Sequence, residues 1–136
     1  MTRGQRNNNP LNIRHSADRW QGARKEQTDP SFVQFEAMAY GYRAAWKTLE
    51  SYWKYFHRTK QPYNVKTIIG RWAPPNENNT DAYIRNVCNW TGFDSHQHLT
   101  ETDWPRLVQA MARQECGTNL SEEIINQGFK LYKTQP

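Results

Sequence analysis

Apolar side chains recur every three or four positions in five separate stretches of the chain, which is the spacing of amphipathic α-helices. The longest stretch runs from about Ala37 to Phe56. Small polar residues that favour N-cap positions precede the shorter stretches. The predicted helix starts are, in chain order, Ala37, Asn64, Thr80, either Thr100 or Thr102, and Ser121. Pro74-Pro75 and Gly117 are expected to end the second and fourth helices.

The first 30 residues lack a helical period and contain the turn formers Asn7-Asn8-Asn9-Pro10 and Asn12. The segment 32–35, Phe-Val-Gln-Phe, alternates apolar and polar residues as a short strand would. These two segments together predict at most a small hairpin. The expected fold class is therefore mainly α (α+β): a single domain, residues 1–136, of about five helices with a minor β-hairpin.

The fourth predicted helix ends in an acidic residue on an otherwise apolar face. Leu107, Val108, Met111 and Glu115 are separated by steps of one, three and four, so they share one side of the helix. Glu115 is therefore expected to point inward or into a cleft, where desolvation would raise the pKa of its carboxyl group towards the range of a general acid. The alternative is a frayed helix end at which Glu115 meets solvent or a lysine. Spacing alone leaves both open.

A second polar loop lies between the second and third helices. Residues 71–80 read Arg-Trp-Ala-Pro-Pro-Asn-Glu-Asn-Asn-Thr and present Trp72, Asn76, Glu77 and Asn78 on a segment stiffened by prolines. Such a loop suits the lip of a sugar or peptide site. The asparagines are explained equally well as turn and capping residues.

Composition narrows the class of partner. The chain has 136 residues, 36% of them hydrophobic and 13% aromatic, which favours a folded domain with a cleft over disorder. A formal net charge of +5 and a pI near 9.4 indicate a polyanionic partner: nucleic acid, an anionic surface or the acidic polymers of a bacterial wall. No basic helix or aromatic RNA-binding motif is present, so nucleic acid is not expected.

Cysteines and histidines give no sign of a metal site. Cys88 and Cys116 form neither a CxxC pair nor a disulfide framework and are expected to be free thiols. His96 and His98 lack a third ligand at suitable spacing and are expected on the surface. We therefore predict no metal and no cofactor. The N-terminus has no apolar signal segment and no stretch approaches a membrane span, so we expect synthesis in the cytoplasm and export by other machinery.

Several ordered motifs resemble a known family. They are RGQRNNNPLNIR, then W-x-G, F-x-x-F, G-Y-R-A-A and I-I-x-R-W-A-P-P-x-E-N-x-T-x-x-Y. Together they resemble the phage and prophage proteins named structural protein P5-like, which look like lysozyme-type muramidases or lytic transglycosylases. The resemblance runs from Arg3 to about Gly117.

This resemblance implies a lysozyme-like domain in which Glu115 is the single catalytic glutamate. The segment A-M-A-R-Q-E-C-G is similar to the alanine-rich helix that ends in Glu-x-Gly in lytic transglycosylases, although Cys116 stands where a serine often follows. Those enzymes place this helix early in the chain, whereas here it lies near the end. A circular permutation would reconcile the two orders and would bring Glu115 beside Asn9, Pro10 and Asn12.

The predicted function is cleavage of peptidoglycan glycan strands by a lytic transglycosylase or muramidase that acts, as a monomer, at the bacterial wall through phage virion or lysis machinery. Expected sugar-stacking residues are Trp20, Trp72 and Tyr83, and expected partners of N-acetyl groups are Asn9, Asn12 and Asn78. Candidates for a second carboxylate are Asp18, Asp29, Glu36 and Glu77. The alternative is a non-catalytic virion or wall-binding protein that keeps the fold.

Overall fold

The chain is built from helices connected by loops. The computed structural model describes residues 1–76, 78–117 and 121–134. Within these residues the α-helices are α1 (Arg3–Arg6), α2 (Met38–Arg58), α3 (Val65–Trp72), α4 (Thr80–Thr91), α5 (Trp104–Cys116) and α6 (Glu122–Thr134). None of these helices is long and apolar enough to span a bilayer. The predicted mainly helical class is confirmed.

The expected hairpin is reduced to two isolated antiparallel bridges. One joins Arg14 to Phe32 and the other joins Ala23 to Phe35. Side chains occupy backbone groups that a continuous ladder would use: the Gln34 amide donates to Oε1 of Gln27 at 2.7 Å instead of to a neighbouring strand. In the described residues no strand forms, although the alternating pattern at 32–35 predicted one.

Three helix starts differ from the prediction, those of α1, α4 and α5. Residues 3–6, expected to be irregular, form α1 because Thr2 and Gln5 make a reciprocal capping box. The N-cap of α4 is Asn79, whose side chain accepts from the Ala82 amide, so Thr80 is not the cap. The hydroxyl of Thr80 instead donates to the Ala73 carbonyl. Asn64 caps α3 as predicted.

Helix α5 begins after a short 3-10 turn. Thr100 caps this turn, Glu101–Asp103, which continues directly into α5 with Pro105 in the first helical turn. The N-cap of α5 itself is Asp103, so neither Thr100 nor Thr102 caps it as predicted. At the other end Gly117 adopts a φ of 75°, the left-handed conformation that glycine tolerates best. Both ends of the helix that carries Glu115 are therefore defined.

The core lies between α2, α5 and α6. Trp46 of α2 is fully buried, and its ring centroid lies 5.9 Å from that of Trp104 and 4.7 Å from that of Phe129. The apolar face of α5 is confirmed, since Leu107, Val108 and Met111 are fully buried. Trp53 of α2 has helical spacing from the buried Leu49 and Phe56, which predicts a core position, but it is 41% exposed and stacks on His57 beside an open pocket.

The N-terminal loop is attached firmly to the helical core. Within this N-terminal region the Arg3 guanidinium makes a bidentate pair with Asp29, with both N–O distances at 2.6 Å, which joins α1 to the loop. A Cβ at Gly41 in α2 would lie 2.2 Å from the carbonyl oxygen of Asn8, so the loop contacts the α2 backbone directly. This contact positions the next part of the loop, so that Asn12, four residues after Asn8, lies against α5.

Candidate active site

Glu115 sits in the last turn of α5 with both carboxylate oxygens hydrogen-bonded. Its Oε1 accepts from Nδ2 of Asn12 at 3.1 Å, and its Oε2 accepts from the Tyr83 hydroxyl at 3.0 Å. The side chain is half-buried. Glu115 is thus held by two other segments of the chain, which replaces the alternative of a frayed helix end that meets solvent or a lysine.

Local structure explains why both donors reach the carboxylate. Asn12 ends a turn, because its backbone amide donates to the Asn9 carbonyl at 3.2 Å. Its φ of 52° is a left-handed value that asparagine accepts more readily than most residues. Tyr83 lies in the first turn of α4, which packs against α5. The two donors therefore reach Glu115 from two separate segments, 103 and 32 positions before it in the chain.

Burial controls the protonation of this group. Desolvation raises the pKa of Glu115 above its ordinary value, while hydrogen bonds from Asn12 and Tyr83, a polar contact from Trp72 and the charge of Arg14 oppose that rise. Burial and the neighbouring carboxylate also raise the pKa of Tyr83, so its hydroxyl keeps its proton. A carboxyl group that holds its proton closer to neutral pH suits general acid catalysis.

Glu115 opens onto a cleft of about 300 Å³. The lining residues are Asn12, Ile13, Arg14, Phe32, Thr48, Tyr52, Trp72, Ala73, Asn78 and Glu115. Among the described lining residues Glu115 is the single carboxylate. Glu77, the neighbour of Asn78 and a predicted lip residue, lies outside the described part of the chain.

The sequence has a curated relative. The chain is 36% identical over 132 residues to "Protein P5" of Pseudoalteromonas phage PM2, and the match covers 94% of this chain and 80% of that protein. The chain belongs to the P5 family. No protein-family model matches it. The predicted phage P5-like family, and with it the association with phage, is confirmed.

Four of the predicted site residues converge in this P5-family protein: Glu115, Asn12, Trp72 and Asn78 all line the cleft. Asn9 does not. It is fully buried, and its amide donates to the carbonyls of Ile13 and Val33. Its side-chain oxygen accepts from the Ile13 amide. We therefore correct its expected role from ligand binding to support of the loop.

Tyr83 and Trp20 also differ from expectation. Tyr83 is 5% exposed and contacts Glu115 from behind the cleft, so its ring is not available to stack on a sugar. Trp20 is half-buried against the small cluster around Val33 and Phe35, and it lines a neighbouring groove instead of the Glu115 cleft. Of the three predicted stacking residues, Trp72 alone lines the cleft.

Three candidates for a second carboxylate lie elsewhere. Asp29 is occupied by Arg3, by Asn7 and by two backbone amides, and these bonds hold its pKa well below the usual range. Glu36 is exposed and does not line the cleft, and Asp18 lines the neighbouring groove.

Sequence interpretation missed several residues of the cleft wall. Tyr52 and Thr48 project from α2, where Tyr52 has the spacing of a core residue from Leu49 and Phe56, so its position along the helix did not indicate a site. The polar Thr48 beside it is the signal that one edge of this face meets solvent.

Proposed function

We propose that this P5-family protein cleaves the glycan strands of peptidoglycan, with Glu115 as general acid and then general base. The supporting observation is the environment of Glu115: a carboxyl group with a raised pKa, held by Asn12 and Tyr83, at the wall of a cleft. It is the single carboxylate among the described lining residues. Glycosidic cleavage requires such a proton donor.

The chemistry can proceed with one carboxyl group. Protonated Glu115 gives its proton to the glycosidic oxygen as the bond from that oxygen to the anomeric carbon breaks. The sugar's own 6-hydroxyl then attacks the anomeric carbon and returns its proton to ionised Glu115, which closes an anhydro ring. Hydrolysis would require a further group to activate water. The lone carboxylate of the described cleft therefore favours a lytic transglycosylase over a muramidase.

Neutral groups in the cleft suit an N-acetylated sugar. Trp72 and Tyr52 offer ring surface, and Asn78 offers an amide. Oδ1 of Asn12 is buried without a hydrogen-bond partner among the described residues, while Nδ2 of the same side chain binds Glu115. Because this oxygen is buried beside Gly4, a sugar in the cleft does not reach it, and the exposed Asn78 is the amide left to contact an N-acetyl group.

The proposal includes a circularly permuted lysozyme-like fold. The helix that carries Glu115 lies late in the chain, yet its carboxylate is bonded to Asn12 near the start. A permuted chain would have this arrangement, because new ends can be placed at the surface while the site stays intact. Within this proposal the protein reaches the bacterial wall through virion or lysis machinery and acts as a monomer.

Digestion of purified peptidoglycan tests the proposal. Wild type should release soluble muropeptides that end in anhydro sugars, Glu115→Gln should release none above background, and the exposed-site control Glu26→Gln should match wild type. Binding to the wall without product from any of the three would refute cleavage and favour the non-catalytic virion or wall-binding alternative.

A further inference from the structure

A second groove, of about 840 Å³, opens beside the Glu115 cleft. Thr48 and Tyr52 line both. These two side chains lie one helical turn apart on α2, so the cleft and the groove are neighbouring parts of one surface depression. A group attached to a polymer that is bound at Glu115 can therefore reach into the groove.

Cationic side chains outnumber acidic ones in the groove lining: they are Arg19, Lys47, Lys54, Arg58 and Arg71, together with the largely buried Arg43. Its two acidic residues are Asp18 and Glu50. Glu50 is occupied, since it accepts from the Tyr132 hydroxyl and lies 3.7 Å from Lys47 and 3.5 Å from Lys54. The groove therefore has an excess of positive charge.

Aromatic rings hold two of the guanidinium groups in place. The Arg71 guanidinium lies 4.0 Å from the ring centroid of Tyr55 and 5.3 Å from that of Tyr52. The Arg58 guanidinium lies 5.7 Å from the Tyr55 ring. Cation–π contacts restrict the rotamers but leave the N–H donors available. No carboxylate within residues 1–76, 78–117 and 121–134 pairs with Arg58 or Arg71.

We propose that this groove binds the carboxylates of the peptide stems attached to the glycan strand, so that the protein selects peptide-bearing strands. The proposal rests on the proposed function for the strand that occupies the Glu115 cleft. Planar guanidinium groups recognise carboxylates with paired hydrogen bonds, and a peptide stem places carboxylates to the side of its strand. The groove adjoins the cleft at Thr48 and Tyr52, so a stem on a bound strand can reach the groove arginines.

Binding can be measured without cleavage in a Glu115→Gln background. The probes are intact peptidoglycan and glycan strands stripped of peptide by an amidase. Replacement of both groove arginines, Arg58→Gln with Arg71→Gln, should weaken binding to intact peptidoglycan by about tenfold or more and leave binding to stripped strands unchanged. The matched control is Lys66→Gln with Arg85→Gln, which removes two exposed charges outside both cavities and should bind like the parent.

Equal affinity of the groove variant and the control for intact peptidoglycan would overturn the inference. An equal loss on stripped strands would overturn it as well, because the arginines would then bind the strand itself, either its sugar rings or the lactyl carboxylate that amidase cleavage exposes. Tighter binding of a single-stranded oligonucleotide than of intact peptidoglycan would overturn it in favour of nucleic acid. Since this assay requires no turnover, a failure of cleavage in wild type and a failure of peptide recognition are separate results.

Discussion

The side-chain amide of Asn12 donates a hydrogen bond to Glu115, which lies 103 positions later in the chain, over a distance of 3.1 Å. The same nitrogen also lies 3.4 Å from the Glu115 carbonyl oxygen. One asparagine therefore fixes both the side chain and the helix end that carries the acid. The environment of Glu115 depends on how the N-terminal loop docks on α5.

Replacement of Asn12 separates its hydrogen bond from its backbone conformation. Asn12→Gly and Asn12→Ala both remove the amide, but only alanine is strained at a φ of 52°. That strain, about 1–2 kcal/mol, exceeds the gain of about 0.4–1 kcal/mol that alanine usually brings over glycine through the unfolded chain. Urea denaturation should show Asn12→Ala as the less stable of the two. An alanine variant as stable as the glycine variant would contradict this account of the loop.

Tyr83→Phe should move the pH dependence of activity. The hydroxyl of Tyr83 lowers the pKa of Glu115, so its removal leaves burial less opposed and raises that pKa further. Because the acid acts in its protonated form, the alkaline limb of kcat/KM should shift to higher pH. The control is Tyr63→Phe, which loses a buried hydroxyl that donates to the Leu49 carbonyl instead. A limb that stays in place in Tyr83→Phe, or moves in Tyr63→Phe, would refute the assignment.

The inward position of Glu115 could be predicted from sequence, whereas its partners could not. Helical spacing is local, so the buried face of α5 and the Asn64 cap follow from nearby residues alone. The bonds from Asn12 and Tyr83 join distant segments and depend on tertiary packing. For this reason Tyr83 was predicted to stack on a sugar, whereas in the structure it is buried and donates to Glu115.

Local competition between side chains explains the other differences. The expected strand at 32–35 is interrupted because the side chains of Gln27 and Gln34 bind backbone groups that a strand would pair. Asn79 and Thr80 are both competent caps, and the hydroxyl of Thr80 is used by Ala73. N-cap propensity alone therefore does not decide which of two such neighbouring residues caps the helix.

Glu115→Gln should change the free energy of unfolding by an amount that depends on pH. Burial raises the pKa of Glu115 in the folded state, so the ionised side chain is the form that folding disfavours. The wild-type protein therefore keeps its full stability below the unfolded pKa, about 4.3, and loses some as the pH rises through the folded pKa. Relative to wild type, Glu115→Gln should become more stable as the pH rises. Urea denaturation at several pH values checks this, and a stability difference that does not vary with pH would contradict it.

Gly128 tests the contact between α2 and α6. A Cβ at this position would lie 2.4 Å from Cβ of Tyr42 and 2.9 Å from the Ala39 carbonyl oxygen. Gly128→Ala should therefore lower the free energy of unfolding by about 1–3 kcal/mol. Gly70→Ala is the matched control in α3, because a Cβ there meets no atom within 4 Å, and it should stabilise by about 0.5–1 kcal/mol. Equal responses of the two variants would show that the helices do not approach this closely.

The most direct test of the central claim is the mass of soluble products from purified peptidoglycan treated with wild type or with Glu115→Gln. Wild type should give muropeptides that lack one water relative to hydrolytic products, which marks the anhydro ring, and Glu115→Gln should give none. Equal release of the same products by the two proteins would contradict the role of Glu115 as the catalytic acid.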